Sequence, residues 1–150
     1  MKNVIILLLL TTALWAESPF RSEVIVTSEW GATTGYGGER RNNVHEGVDL
    51  IPVDGDWIIF PIRPGIVTEC RIDPIYGKMV VVDHGENLYS LYAHGSIIYN
   101  RANVGMEVTC ESAIMKMGTT GYSDGPHLHL GVFKIEDGER VFLPPGEYRK

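Results

Sequence analysis

From about residue 20 onward the apolar positions of this chain come in short bursts. Runs such as Val24-Ile25-Val26, Ile58-Ile59-Phe60, Met79-Val80-Val81-Val82 and Val132-Phe133 are broken every few residues by Gly, Pro, Asp or Asn. No stretch of ten residues repeats its apolar positions at the 3.6-residue period of an amphipathic helix. The pattern therefore predicts an all-β chain, with strands over residues 24–28, 57–60, 65–71, 79–83, 88–93, 113–117 and 127–135 and a short piece around Val141. Turn signals fall between most of them: Asp54-Gly55, Asp73-Pro74, Tyr76-Gly77, Gly85-Glu86-Asn87, Gly118 to Gly121 and Asp137-Gly138. Residues 79–93 read as a hairpin with His84 at its polar loop. Residues 29–49, with Gly35, Gly37, Gly38 and the pair Arg40-Arg41, read as a long irregular loop running into an extended segment over 48–51. Long loops on β scaffolds commonly carry function.

Composition narrows the picture. A chain of 150 residues with 44% apolar positions, 17 glycines and 8 prolines suits one compact, turn-rich domain, expected over 17–150. The first sixteen residues differ from the rest. Lys2, the run Val4 to Leu10 and its extension through Ala13, Leu14, Trp15 and Ala16 have the form of a secretory signal peptide. That segment is shorter than the ~20 apolar residues needed to span a bilayer. Cleavage after Ala16 is the expectation, with retention as an anchor the alternative, because Leu14 departs from the small residue preferred three positions before the cut. The expected location is periplasmic or secreted, with no stable membrane insertion.

Without residues 1–16 the chain keeps 12 basic and 19 acidic residues, a formal charge of −7. Nucleic acid is excluded as a natural partner. An export context permits Cys70 and Cys110 to form a disulfide, with two separate thiols as the alternative, and the C-x-x-C spacing of redox or zinc-ribbon sites is absent. A monomer is expected.

The candidate chemistry lies in the histidines. In "HLH", His127 and His129 sit two apart on an expected strand, so both imidazoles face one side about 6.6 Å apart. "HEGVDL" adds His45 and Asp49, four apart. A helix would put them on one face, but Gly47, Val48 and Ile51-Pro52 disfavour one, and in a straight strand the pair lies about 13 Å apart. That is too far for a shared ion with bonds of ~2 Å, so common ligation needs a bend, for which Gly47 is the candidate. His94 in "LYAHGS" is a further imidazole at a strand end. Zinc in catalytic sites takes three protein ligands, with His and Asp among the usual donors. Two neutral imidazoles and a carboxylate would leave the ion with a net positive charge able to polarise a carbonyl and acidify water. With no H-E-x-x-H glutamate, histidine is the natural proton carrier.

In order along the chain, H-x-x-x-D, "PGIV", "VVVDHG", "SLYAHGS", "VG" and "GTTGYSDGPHLH" resemble the lysostaphin/LytM-type zinc metallopeptidases, which cut the peptide part of bacterial cell walls. The resemblance runs from about Thr27 to Val141. It implies antiparallel sheets forming an open barrel or sandwich with one zinc ion per chain in a groove. It implies His45, Asp49 and His129 as zinc ligands, and His94 and His127 as the catalytic pair. The implied substrate is the stem peptides and cross-links of peptidoglycan, cut by endopeptidase action. His84 matches a position outside the metal shell and reads as a turn or surface residue.

Three places depart from the family's wording. Gly95 replaces the Leu usual after the mid-chain His, Leu130-Gly131 replaces the usual Phe-Glu after HLH, and Asp124 stands where a small polar residue is common. Two other readings compete with the endopeptidase. A non-catalytic module of the same family would bind the wall or activate another hydrolase, but such modules lose ligands and this chain keeps all three. A D-Ala-D-Ala carboxypeptidase shares the H-(x)n-D pair and late His but lacks the HLH doublet and the mid-chain Y-A-H.

Overall fold

A computed structural model describes residues 18–35, 38–39 and 44–144; the expected signal segment lies outside them. Twelve strands follow in chain order: β1 (Val24–Ser28), β2 (Thr34–Gly35), β3 (Gly38–Glu39), β4 (Val48–Pro52), β5 (Ile58–Ile59), β6 (Gly65–Asp73), β7 (Gly77–Asp83), β8 (Tyr89–Ile98), β9 (Glu107–Val108), β10 (Met115–Met117), β11 (Leu128–Glu136) and β12 (Glu139–Phe142). A single 3-10 turn, Asn100–Ala102, is the only helical element among the described residues. The all-β expectation holds. Every pairing is antiparallel, and the main sheet runs β1-β4-β11-β8-β7-β6-β9.

The sheet is open, and it branches. β11 pairs β4 through Leu128–Leu130 and then β12 through Phe133–Glu136, while β8 pairs β10 with its far end, Gly95–Ile98. β10 in turn pairs β5. Splitting partners this way bends the sheet over itself and buries both of its faces near the centre. The run Met79-Val80-Val81-Val82 is the sequence signature of that burial, since a strand covered on both faces has no polar alternation. Val80 and Val82 join Tyr92, Leu50, Leu128, Leu130 and Val132 in the larger apolar cluster. Met79 and Val81 face the other way, with Leu91, Ala93 and Phe133. Each fully buried side chain of this size contributes about 1.5–3 kcal/mol.

The elements differ from their expected extents at instructive places. β8 continues five residues past Ala93, because a bulge carries the strand through His94 instead of ending it. The loop over 29–49 holds the small ribbon β2–β3, and β9 is too short to leave an apolar pattern.

Of the two readings of Cys70 and Cys110, the structure has the separate thiols: no disulfide joins them. The register explains why. β9 pairs β6 as Gly65↔Val108 and Ile66↔Glu107, so continuing it carries Cys110 beyond the Gly65 end of β6, away from Cys70. The separation along the strand is on the order of 20 Å, against the ~7 Å that a disulfide tolerates between Cα atoms. No helix of the described residues is long and apolar enough to cross a membrane.

Candidate metal centre

The groove lies on the face that carries Ala93. His129 pairs in register with both Ala93 of β8 and Asp49 of β4, which puts all three at one level of the sheet. Period-two alternation sends Leu128 and Leu130 into the core and leaves His129 facing the groove. His127 precedes the strand by one residue and bridges to Gly118, and it faces the groove as well.

His45 reaches the site through a bend, and the bend works by the absence of a side chain. A Cβ on Gly47 would lie 2.6 Å from the Leu130 carbonyl oxygen and 2.7 Å from Cε1 of His129. Gly47 is thus the one residue type that lets the chain between His45 and β4 pass directly over the His129 ring. The result is close convergence. His45 Nε2, Asp49 Oδ1 and His129 Nδ1 lie 3.0 Å from one another in each pairing. The same three residues form a group of donors with metal-binding separations.

This arrangement fits a cation. The Nδ1–H of His45 donates to the Glu29 carbonyl at 2.9 Å, so its Nε2 presents a lone pair to the other donors. A lone pair aimed at a carboxylate and a second imidazole is unfavourable unless something positive lies between them. Tetrahedral zinc with bonds near 2 Å separates its donors by about 3.3 Å. His129 Nε2, on the far side of the ring, is buried and has no hydrogen-bond partner among the described residues, which leaves Nδ1 as its working atom. Burial alone would raise the Asp49 carboxyl, but the His129 and His45 ring nitrogens 3.0 Å away outweigh it and hold Asp49 well below the usual carboxylate range. Burial lowers His129, favouring the neutral imidazole that ligation requires.

Two further imidazoles share the groove without joining this triangle. His127 Nδ1 donates to the Gly125 carbonyl at 2.8 Å, and its Nε2 is 3.7 Å from Asp49 Oδ1. His94 Nδ1 donates to the Thr120 carbonyl at 2.8 Å. Their rings stand 4.7 Å apart between centroids. In both, the carbonyl bond settles the tautomer and leaves Nε2 as the basic nitrogen. Desolvation lowers the His94 pKa to about 4, so its ring is neutral at physiological pH.

His94 reaches this face only because β8 is irregular there. Strict alternation after Tyr92 and Ala93 would send it into the larger core. Its φ of +62° and the bulge between the Lys78↔Gly95 and Val80↔Tyr92 pairs turn the side chain back into the groove. The structure thus gathers all five expected site residues, His45, Asp49, His94, His127 and His129, along one groove. Glu29, Glu46, Tyr76, Tyr122, Ser123 and Asp124 also line it.

A model of peptidase family M23 matches residues 43–142, two thirds of the chain and all five of these residues. The chain belongs to peptidase family M23. The family comprises zinc metallopeptidases, lysostaphin/LytM-type enzymes among them, and the His-Asp-His group agrees with that chemistry. The chain is 30% identical over 110 residues to the peptidoglycan DD-endopeptidase ShyA of Vibrio cholerae, covering 69% of this chain and 25% of that protein. It is 26% identical over 115 residues to an uncharacterized metalloprotease of Buchnera aphidicola, covering 77% of this chain and 30% of the relative. It therefore spans about a quarter to a third of the length of these relatives. Among solved structures, the catalytic domain of the prophage-encoded M23 protein EnpA from Enterococcus faecalis superposes with a TM-score of 0.67 at 28% identity, over 86% of this chain and 94% of that domain.

Against this M23 frame the three departures resolve separately. Leu130 faces the core and Gly131 lies under the Phe142 ring, so neither lines the groove. Gly95 makes room for Met115, whose Sδ would lie 2.2 Å from an added Cβ. Asp124 is on the groove. His84 is outside the groove but is not a loose surface residue. It is half-buried, with Nδ1 2.9 Å from the Pro64 carbonyl and Nε2 2.7 Å from Ser90 Oγ, and it joins the hairpin loop to the core. The residues that motif reading passed over are the supports: Glu29, Thr120 and Gly125 through their carbonyls, and Ser28, whose Oγ is 3.2 Å from His45 Nδ1. A backbone acceptor leaves no trace in side-chain identity.

Proposed function

We propose that this chain is a zinc-dependent endopeptidase that hydrolyses peptide cross-links of bacterial peptidoglycan, exported to the periplasm or beyond. The observation that carries the reading is the separation of roles within one groove. Three donor atoms converge at 3.0 Å, and two further imidazoles, each tied at Nδ1 to a backbone carbonyl, stand beside them. In this reading His45, Asp49 and His129 hold one zinc ion. Zinc bound there would supply a Lewis acid for the scissile carbonyl and lower the pKa of a nearby water.

The remaining steps belong to the chain's own side chains. His127 or His94 accepts at Nε2 the proton of the water that attacks the amide carbonyl, and the resulting imidazolium stabilises the oxyanion of the tetrahedral intermediate. The same proton then passes to the departing amine. The Gly125 and Thr120 carbonyls accept the Nδ1–H bonds throughout, so neither ring needs to turn between taking the proton and giving it up. The similarity to a peptidoglycan DD-endopeptidase supports the choice of substrate.

The test pairs two substitutions. His129→Ala is expected to lose zinc and all hydrolysis. His127→Ala is expected to keep about one zinc and lose turnover by roughly 10²–10⁴-fold. Zinc is read by elemental analysis and cleavage by mass spectrometry of released muropeptides. Hydrolysis by metal-free His129→Ala protein overturns the mechanism. A wild-type protein that binds zinc and muropeptides but releases no product overturns the peptidase reading in favour of a wall-binding module.

A further inference from the structure

Thr120 occupies an unusual position behind the groove. Its hydroxyl donates to the Gly95 carbonyl at 2.6 Å and accepts from the Lys78 backbone N–H at 3.0 Å. Lys78 and Gly95 are register partners of β7 and β8, and they form the last pair before the bulge at His94. The hydroxyl therefore sits between a donor on one strand and an acceptor on the other, at the point where the extra residue opens the ladder. The carbonyl of the same residue accepts His94 Nδ1–H at 2.8 Å. Gly77 allows this approach, because a Cβ there would lie 2.4 Å from the Thr120 carbonyl and hydroxyl.

We propose that Thr120 is a positioning residue for His94, its hydroxyl bridging the opened ladder and its carbonyl setting the tautomer of the ring. The physical case rests on two coupled needs. A bulge with a left-handed non-glycine residue is costly, and it persists only when neighbouring bonds over-determine it. An imidazole that exchanges protons also needs a fixed acceptor on its other nitrogen. One residue meets both, so the strand distortion and the ring orientation move together. His94 N–H, donated to the Tyr76 carbonyl at 2.7 Å, completes the clamp on the backbone side. The motif "GTTGYS" thus holds a role beyond its turn.

The kinetic consequence rests on the peptidase reading, while the tautomer does not, so the test reads both on the zinc-loaded protein. Thr120→Val removes the hydroxyl and keeps the shape. It is expected to lower kcat by roughly 10- to 100-fold with KM within about twofold and zinc content unchanged. Nitrogen-15 NMR is expected to show His94 as the Nδ1–H tautomer in the wild type and as a tautomer mixture in Thr120→Val. Thr120→Ser, which retains the hydroxyl, is expected to restore both. If Thr120→Val does not fold, Thr120→Ala removes the same hydroxyl without an added branch and carries the same expectation. Unchanged His94 nitrogen signals in the hydroxyl-free variant overturn the proposal. So does a Thr120→Ser protein as impaired as Thr120→Val, or zinc loss that parallels the loss of kcat. A wild type with the expected tautomer but no hydrolysis would overturn the peptidase reading and leave the positioning role standing.

Discussion

Gly47 carries no functional group, yet it is tightly constrained beside the donor triangle. Its Cα passes so close to the His129 ring that a methyl group would meet Cε1 at 2.7 Å and Nε2 at 2.8 Å. Neither neighbour can yield cheaply. The Leu130 carbonyl is part of the β4–β11 ladder, and the ring is held by its place in the donor triangle. Gly47→Ala is therefore expected to push His129 out of the triangle and raise the zinc dissociation constant by about 10- to 100-fold, the range typical of disturbing the supports of metal ligands. Competition with a calibrated chelator measures this directly. A variant that binds zinc as tightly as the wild type would show that the ring has slack that these distances deny. The sequence motif already marks Gly47 as a bend, yet backbone freedom is not the operative reason: its φ is not in the left-handed region. The reason is space, and space depends on a residue eighty-two positions later in the chain.

At the scale of elements, β11 and β12 show how one substitution from the family's usual wording is accommodated. Gly131 lies where a Cβ would come within 2.7 Å of the Phe142 ring, and Phe142 in turn packs at 5.3 Å on Phe133. The aromatic ring covers the glycine backbone and supplies apolar area that the missing side chain does not. Gly131→Ala should then destabilise the protein by about 1–3 kcal/mol, the cost of overpacking. In a Phe142→Ala background the same change should cost much less. A double-mutant cycle by urea unfolding measures the coupling, and additivity of the two changes would refute the pairing. This element scale is also where the sequence was most and least legible. Period-two alternation identifies the HLH face, and the apolar run 79–82 identifies a strand and one arm of a hairpin, because those signals are local. The continuation of β8 to Ile98 and the return of His94 to the groove were not visible, because they depend on a bulge stabilised from the 118–121 turn. For the same reason the sequence pattern alone leaves His45 and Asp49 about 13 Å apart. The family resemblance named the five site residues. The register of three strands shows why they can meet.

The molecule as a whole gathers its buried imidazoles in a way that makes its stability depend on pH. Desolvation lowers His94 to about 4 and lowers His84 as well. In the unfolded chain both titrate near 6.5. Between those limits the unfolded state binds protons that the folded state refuses, so stability rises with pH. The contribution of His94 is fully present above about 6.5 and is lost as pH falls through about 4. Asp49, held low by its histidine partners, adds a loss in the same direction at still more acidic pH. The two histidines lie in different places, His94 at the bulge of β8 and His84 at the hairpin loop, where it holds Ser90 at the start of β8, so protonation acts on that strand at two points. For the metal-free protein, urea unfolding free energies are expected to fall between pH 6.5 and 4, with His94 contributing a slope approaching about 1.4 kcal/mol per pH unit and His84 and His129 adding to it in the same direction. His94→Gly, which accepts the left-handed backbone at that position, should remove one proton's worth of that slope and leave the part due to the other buried imidazoles. Bound zinc should steepen the acid limb further, because its ligands must be deprotonated to hold it. A slope unchanged in His94→Gly would mean that the groove takes up water and the ring titrates normally in the folded state.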